Sequence, residues 1–257
     1  MSQLLLKPNV PTLGGVAVEG VVRVLGGRRV LVGLDLQVPA AGRVGIVGRS
    51  GAGKSTLLSL VAGLEEPDAG CISVAGASAP DDRLARCALM PQRDCLLPWR
   101  SALDNAVLAL ENAGLSRREA RRRAAPLFER LGLAGSEQLL PAKLSGGMRQ
   151  RVAFLRTLLA DKPVLLLDEP FGALDAITRT ELQEWLVVAL ADQPRTVLLV
   201  THDVEEALFL CDRVLVLAGG RIAAQLEVDV QRDGPRRAVV TSPTFVELRE
   251  QALKAIE

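Results

Sequence analysis

The sequence lacks tyrosine, has a single histidine and carries four cysteines that form no Cys-x-x-Cys pair. Zinc sites are usually built from cysteine and histidine at short, regular spacings, whereas His202 is far in sequence from Cys71, Cys87, Cys95 and Cys211. A zinc centre is therefore not expected. The four thiols suit the reducing conditions of a cytosol.

Charge imbalance and long apolar runs are also missing. The chain has 31 basic and 30 acidic residues, so no overall field attracts nucleic acid, and no nucleic acid partner is expected. No window holds the ~18 uninterrupted apolar residues of a membrane span, and the apolar stretch in residues 1–10 is too short for a signal peptide. We expect a soluble protein that binds any polyanion locally.

A glycine-rich loop lies between an apolar run at residues 44–47 and a segment of helical spacing at 56–62, which ends at Gly63. It has the phosphate-binding pattern G-x-x-x-x-G-K-[ST] and consists of Gly48, Arg49, Ser50, Gly51, Ala52, Gly53, Lys54, Ser55 and Thr56. Glycine lets the backbone curl so that successive N–H groups face a polyphosphate at the helix N-terminus. We expect Lys54 to reach the β- and γ-phosphates and Ser55 to bind Mg²⁺. The loop predicts a nucleoside triphosphatase.

Two consecutive carboxylates end the buried strand that is predicted at residues 164–167. Phosphoryl transfer with magnesium needs a carboxylate near the phosphate loop, and we expect Asp168 to hold the ion through water. Glu169 is the candidate general base for the attacking water.

The apolar pattern predicts an α/β fold. Runs at 16–24, 34–38 and 44–47 predict strands, partly antiparallel, and from residue 163 strands at 164–167, 197–200 and 214–217 alternate with helices at 177–190 and 204–210. Such alternation indicates a mainly parallel sheet. We predict a core of residues 1–96 and 162–230, an all-helical insertion at 97–161, and a C-terminal tail at 231–257 with a short helix.

Two basic segments are interpreted as solvated surface. In the insertion, Ser116 and Glu119 form a predicted capping box before an arginine run at 117–123, and Pro126 is expected to divide this region into two shorter helices. Residues 232–237 are interpreted as a solvated linker.

A second glycine pair opens another predicted helix. Ser145 is the expected N-cap, Gly146 and Gly147 leave bare amides at the helix N-terminus, and Met148 follows. An anion site and an ordinary capped helix fit this segment equally well.

Together these residues resemble the nucleotide-binding subunits of ABC (ATP-binding cassette) transporters over nearly the whole chain. Residues 48–56 are similar to Walker A, Gln92 to the Q-loop glutamine, 144–148 to the family signature, 164–169 to Walker B, 173–175 to the D-loop, and His202 to the switch histidine. The resemblance implies an ABC-type P-loop fold and hydrolysis of ATP with Mg²⁺, for which Gln92 is a further ligand.

The resemblance also implies two copies packed head to tail, with each ATP between the Walker A of one copy and the signature of the other. Ser145, Gly146 and Gly147 would then contact the γ-phosphate of the partner's nucleotide. His202 would hold that phosphate and the water, and Asp175 would couple the two sites.

The segment Leu-Leu-Pro-Trp after Gln92 resembles importer subunits of the nitrate, sulfonate and taurine type, although it also fits a linker that packs on the helical insertion. The importer resemblance implies a membrane permease as partner, indirectly a solute-binding protein, and a peripheral location at the cytoplasmic face of the membrane. The chain departs from the family at Met148, where glutamine is common, and at Leu25, where an aromatic usually stacks on adenine. The alternatives are a soluble ABC ATPase of an assembly or regulatory complex and a lipid or export cassette.

Overall fold

The computed structural model describes residues 14–232 and 234–256. The apolar stretch in residues 1–10, which is interpreted as too short for a signal peptide, lies outside the described residues. The first part of the chain contains β1 (Val16–Leu25), β2 (Arg28–Val38), β3 (Arg43–Val47), α1 (Lys54–Ala62), β4 (Ala69–Val74), α2 (Pro80–Arg86) and β5 (Cys87–Met90). The middle part contains α3 (Ala102–Ala106), α4 (Leu108–Asn112), α5 (Arg117–Arg130), a 3₁₀ turn (Pro141–Lys143) and α6 (Gly146–Leu159). The last part contains β6 (Val164–Asp168), α7 (Ala176–Asp192), β7 (Thr196–Val200), α8 (Val204–Leu210), β8 (Arg213–Ala218), β9 (Arg221–Glu227), α9 (Arg236–Val240) and α10 (Pro243–Ile256).

The strands form two sheets, which confirms the predicted α/β class. A six-stranded sheet has the order β5-β6-β7-β3-β8-β9, and all its neighbours are parallel except β8 and β9. A three-stranded antiparallel sheet has the order β2-β1-β4. Since β3, β6 and β7 are parallel, the segments that follow them meet at one sheet edge, where ligands bind in open α/β folds.

Both faces of the parallel sheet are covered, so its strands are apolar throughout. Along β6, Leu165 and Leu167 pack into one buried cluster with the helices of the middle part, whereas Val164 and Leu166 pack into a second cluster with α1. This alternation is the two-residue period of a strand. It holds the end of β6 rigidly between two cores.

The expected break at Pro126 is wrong, because α5 runs unbroken through it. Pro126 is exposed, so the carbonyl that loses its partner faces water. Ala124, Leu127 and Phe128 are buried on the opposite face and hold both halves of the helix in the core. Packing of this face outweighs the local cost of the proline.

The arginine run is only partly a solvated face. Arg121 donates to Asp104 at 2.6 Å, and Arg117 also contacts this buried carboxylate. Although burial acts to raise it, hydrogen bonds from both arginines hold the pKa of Asp104 below its usual value. Arg122 pairs with Glu119 on the exposed side.

The interpretation of residues 232–237 as a solvated linker is only partly right: Gly234, Pro235 and Arg237 are exposed, whereas Arg232 and Arg236 contact the rest of the fold. Arg232 donates to the carbonyl oxygens of Phe209 and Leu208 at 2.6 and 3.3 Å, at the C-terminal end of α8. The tail that follows forms α9 and α10, and Phe245 of α10 is fully buried. The tail is therefore an integral layer over α8. In the described residues, no helix is long and apolar enough to cross a lipid bilayer.

Candidate nucleotide-binding site

A cavity of about 300 Å³ opens at the sheet edge where β3 and β6 end. The residues that line it are Val30, Ser50, Gly51, Gly53, Lys54, Ser55, Thr56, Gln92, Asp168, Glu169 and His202. Segments distant in sequence thus converge, and they include the predicted catalytic and magnesium-binding side chains. Gly48, Arg49 and Ala52 belong to the same loop but do not line the cavity.

The loop before α1 needs glycine for both conformation and space. Gly53 has φ +102°, in the left-handed region, and α1 begins at the next residue. A Cβ at Gly53 would lie 2.9 Å from Leu31 Cδ2 and 3.0 Å from the Val30 carbonyl oxygen. The loop therefore packs closely on β2 and leaves its other side to the cavity.

Lys54 folds over the loop. Its Nζ donates to the carbonyl oxygens of Gly48 at 2.8 Å and Arg49 at 3.1 Å. Burial lowers the pKa of Lys54, while the nearby carboxylates of Glu169 and Asp168 act in the opposite direction. The ammonium group is thus fixed at the wall of the cavity, as recognition of a polyphosphate requires.

Asp168 ends β6 as a buried carboxylate, only 5% exposed. Burial raises its pKa, and a hydrogen bond with the Ser55 side chain opposes this effect. Its Oδ1 atom has no hydrogen-bond partner. A buried carboxylate oxygen without a partner is costly in a dry site, so this atom fits a position that a cation or its water would occupy.

The protein side chains alone do not complete a metal site. Within residues 14–232 and 234–256, no group of three or more His, Cys, Asp or Glu side chains is arranged to hold a metal ion. Ser55, Gln92 and Asp168 nevertheless line one cavity. Mg²⁺ keeps several waters and is commonly bound by one or two carboxylates together with substrate phosphates. The donor set fits such an ion.

Glu169 and His202 form a hydrogen-bonded pair. His202 Nδ1 donates to Glu169 Oε2 at 2.7 Å, since an ionised carboxylate only accepts. The Glu169 side chain is 13% exposed, whereas that of His202 is 73% exposed. The pair therefore presents a shielded carboxylate and an accessible imidazole to the cavity.

The backbone of Glu169 is held in a rare conformation. Its φ is +51°, a left-handed value that costs a non-glycine residue of order 1–3 kcal/mol. Its N–H donates to the Val200 carbonyl at 2.8 Å, and Gln150 Nε2 donates to the carbonyl oxygens of Glu169 and Pro170 at 3.2 and 3.1 Å. Neighbouring elements thus stabilise the turn that aims Glu169 into the cavity.

Gln150 and Val30 are residues that sequence reasoning missed. Gln150 lies one turn inside α6 and is buried. Its spacing relative to the apolar residues of that helix is the only signal in the sequence that could have indicated a polar partner. Val30 of β2 lines the cavity, whereas Leu25, the expected adenine position, does not and is 41% exposed.

The signature residues lie outside this cavity. Ser145 caps α6, and its Oγ accepts from the N–H of Met148 at 3.2 Å, as predicted. Gly146 is exposed, and a Cβ on Gly147 would lie 3.5 Å from Leu174 Cδ2. The signature and the segment before Asp175 are therefore neighbours on one surface.

Asp175 caps α7 and is exposed. Its Oδ1 accepts from the N–H groups of Thr178 and Ile177 at 3.0 and 3.1 Å. The hydrogen bonds from Thr178 lower the pKa of Asp175 most. Asp175 does not line the cavity.

A family model described as ABC transporter matches residues 31–172. The chain belongs to the ABC transporter family. It is 48% identical to the aliphatic sulfonates import ATP-binding protein SsuB 1 of Rhodococcus jostii, over 88% of each chain. It is 42% identical to the taurine import ATP-binding protein TauB of Rhizobium johnstonii, over 85% of each.

Solved structures agree with this membership. The dimeric structure of MJ0796, a bacterial ABC transporter cassette, has a TM-score of 0.78 and 28% identity over 83% of this chain and 98% of that one. A post-hydrolysis structure of the same cassette, bound to ADP and Pi, has a TM-score of 0.77. The predictions of an ABC-type fold and of an ATP-binding and ATP-hydrolysing importer subunit are confirmed, and neither alternative is favoured.

Proposed function

We propose that this ABC subunit hydrolyses Mg²⁺-bound ATP between two head-to-tail copies and thereby drives uptake of a sulfonate- or taurine-like solute through a separate permease. The observation that carries the site assignment is the 2.7 Å pair of His202 and Glu169 in one cavity with Lys54 and Asp168. The solute class rests on relatives named for import of aliphatic sulfonates and taurine.

The phosphate chain would lie along the loop that begins at Gly48. Loop amides and Lys54 would bind the β- and γ-phosphates, because a fixed ammonium and the N-terminus of α1 both favour negative charge. Ser55, Gln92 and Asp168 would hold Mg²⁺ directly or through water. When bound, the ion would neutralise the negative charge that develops on the phosphates.

Glu169 would act as general base for the attacking water. Its Oε2 accepts from His202, so Oε1 is left to orient the water and receive its proton. His202 would hold the γ-phosphate and keep the carboxylate in place. Both side chains belong to turns fixed by the sheet, which favours one reactive geometry.

The partner copy would supply the rest of the site. Ser145, Gly146 and Gly147 lie at the exposed N-terminus of α6, where amides can bind a γ-phosphate. Asp175 lies on the same surface and would couple the two sites. ATP would contact both chains only in the closed dimer, so binding favours closure.

The permease would contact the segment after Gln92. Trp99 is 73% exposed there, while Leu96 is buried and anchors the segment. An exposed tryptophan on an anchored loop is typical of a contact surface. The proposed location is the cytoplasmic face of the membrane, with a solute-binding protein as an indirect partner.

Two variants test the proposed site. Glu169→Gln should bind ATP, fail to hydrolyse it and accumulate as a dimer in size-exclusion chromatography, because only the base is lost. Lys54→Ala should lose nucleotide affinity instead. Unchanged turnover in Glu169→Gln would remove Glu169 from the base role.

The transport assignment is tested separately. The tagged chain is isolated from detergent-solubilised native membranes, with Trp99→Ser as the matched control. A multi-span permease that co-purifies with the parent chain and less with Trp99→Ser supports the proposal. Recovery of soluble partners alone would contradict it.

A further inference from the structure

A buried polar cluster lies behind the turn that carries His202. Glu206 of α8 is 3% exposed, and its Oε2 accepts from Gln183 Nε2 of α7 at 3.1 Å. Its Oε1 has no hydrogen-bond partner. Polar side chains this deeply buried are costly unless they fix a conformation or serve chemistry, and the proposed mechanism does not use this pair.

The cluster locks residues 201–206. Asp203 Oδ1 accepts from the N–H of Glu206 at 3.1 Å, and the N–H of Asp203 donates to Thr201 Oγ1 at 3.1 Å. The Thr201 side chain lies beside the Glu206 carboxyl group and acts to lower its pKa. His202 lies inside this turn with an exposed ring, so the turn decides where the imidazole points.

The outer end of the cluster is Arg236 at the start of α9. Its Nε donates to Gln183 Oε1 at 2.9 Å, which directs the Gln183 amide nitrogen toward Glu206. The backbone N–H of Arg236 donates to Glu184 Oε1 at 2.7 Å, and its guanidinium lies 5.5 Å from the centre of the Phe209 ring. Arg236 thus fixes the only orientation of Gln183 that serves both neighbours.

We propose that Arg236 is a positioning residue that acts through Gln183 and Glu206 to hold the turn of His202, so that the start of α9 supports ATP hydrolysis. The inference rests on the proposed role of His202. Without Arg236, Gln183 Oε1 loses its donor, so the orientation that directs the Gln183 amide nitrogen toward Glu206 is no longer fixed. The imidazole then samples positions in which it does not contact Glu169.

Steady-state hydrolysis of ATP by the full chain tests the inference. Arg236→Met keeps the aliphatic stem and removes the donor. Its kcat should fall about fivefold or more with little change in KM for ATP, because the phosphate loop is untouched. Arg237→Met is the matched control: Arg237 is exposed, and its side chain has no hydrogen bond or ion pair among the residues described. Its kcat should equal that of the parent.

A double-mutant cycle separates positioning from general loss of stability. If Arg236 acts through Gln183, then Gln183→Met combined with Arg236→Met should lose no more kcat than Gln183→Met alone. Additive losses, or a normal kcat in Arg236→Met, would overturn the inference. If Arg236→Met does not fold, Arg236→Lys is measured in the same way, since it keeps the charge but not the planar donor.

His202→Ala distinguishes the two proposals. Loss of turnover in His202→Ala together with normal turnover in Arg236→Met overturns only the role of Arg236. Full turnover in His202→Ala overturns the role of His202, and the role of Arg236 fails with it.

Discussion

Replacement of Gln150 by leucine should destabilise the protein and slow hydrolysis together. Gln150 is buried in α6 and donates two hydrogen bonds, to the carbonyl oxygens of Glu169 and Pro170. Leucine has a similar volume, so no large cavity forms. The main effect is the loss of both donors.

The expected magnitude follows from the two carbonyl groups. A buried acceptor that loses its partner costs about 1–3 kcal/mol, and relaxation of the turn offsets part of the sum. We expect the free energy of unfolding to fall by about 2–4 kcal/mol, which lowers Tm by roughly 4–16 °C for a chain of this size. Because Glu169 has φ +51°, the turn should relax and kcat should decrease more than KM changes.

Urea unfolding and steady-state hydrolysis measure these two effects. Gln138→Leu is the matched control, since Gln138 is exposed in the same helical part of the chain and should change stability by less than about 0.5 kcal/mol. A Gln150→Leu protein with unchanged stability and kcat would show that these hydrogen bonds do not support Glu169. Equal losses in both variants would have the same meaning.

Gly53→Ala should weaken ATP binding about tenfold or more in calorimetry, because its Cβ would lie 2.9 Å from Leu31 at a left-handed φ; unchanged affinity would refute this account of the loop. Arg232→Met should lower the unfolding free energy by about 1–3 kcal/mol in urea, because carbonyls at the end of α8 lose their donor. The pKa of Glu206 is raised from 4.5 to about 7, mainly by burial and secondly by the charge of Asp203. The folded state then binds more protons than the unfolded state between these values, so its stability falls as pH rises from about 4.5 to 7, by roughly 3 kcal/mol. Glu206→Gln should lack this slope in denaturation measured across that range, and identical slopes would contradict the assignment.

The sheet and the phosphate loop could be predicted because their sequence patterns are local. Continuous apolar runs such as 164–167 mark strands buried on both faces, and the loop before α1 has fixed glycine positions. Ser145, the expected N-cap of α6, is also the observed one. In each case the pattern itself lies within a few consecutive residues.

Contacts between distant segments could not be predicted in the same way. The linker interpretation failed for Arg232 and Arg236, because their partners are the carbonyls of α8 and the side chain of Gln183. The expected break at Pro126 failed because tertiary packing of α5 outweighs a local preference. A basic run in the sequence does not show whether the folded chain places a buried acceptor such as Asp104 next to it.

Helix α6 contacts one site and, in the proposed dimer, completes another. Its N-terminal residues Ser145, Gly146 and Gly147 are exposed for the partner's nucleotide, while Gln150, one turn further on, supports the backbone of Glu169 in its own chain. A helix moves as a rigid unit over a distance of one turn. Binding of the partner's γ-phosphate at the helix N-terminus should therefore also displace Gln150. A dimer built this way couples closure over one ATP to the position of the general base at the other.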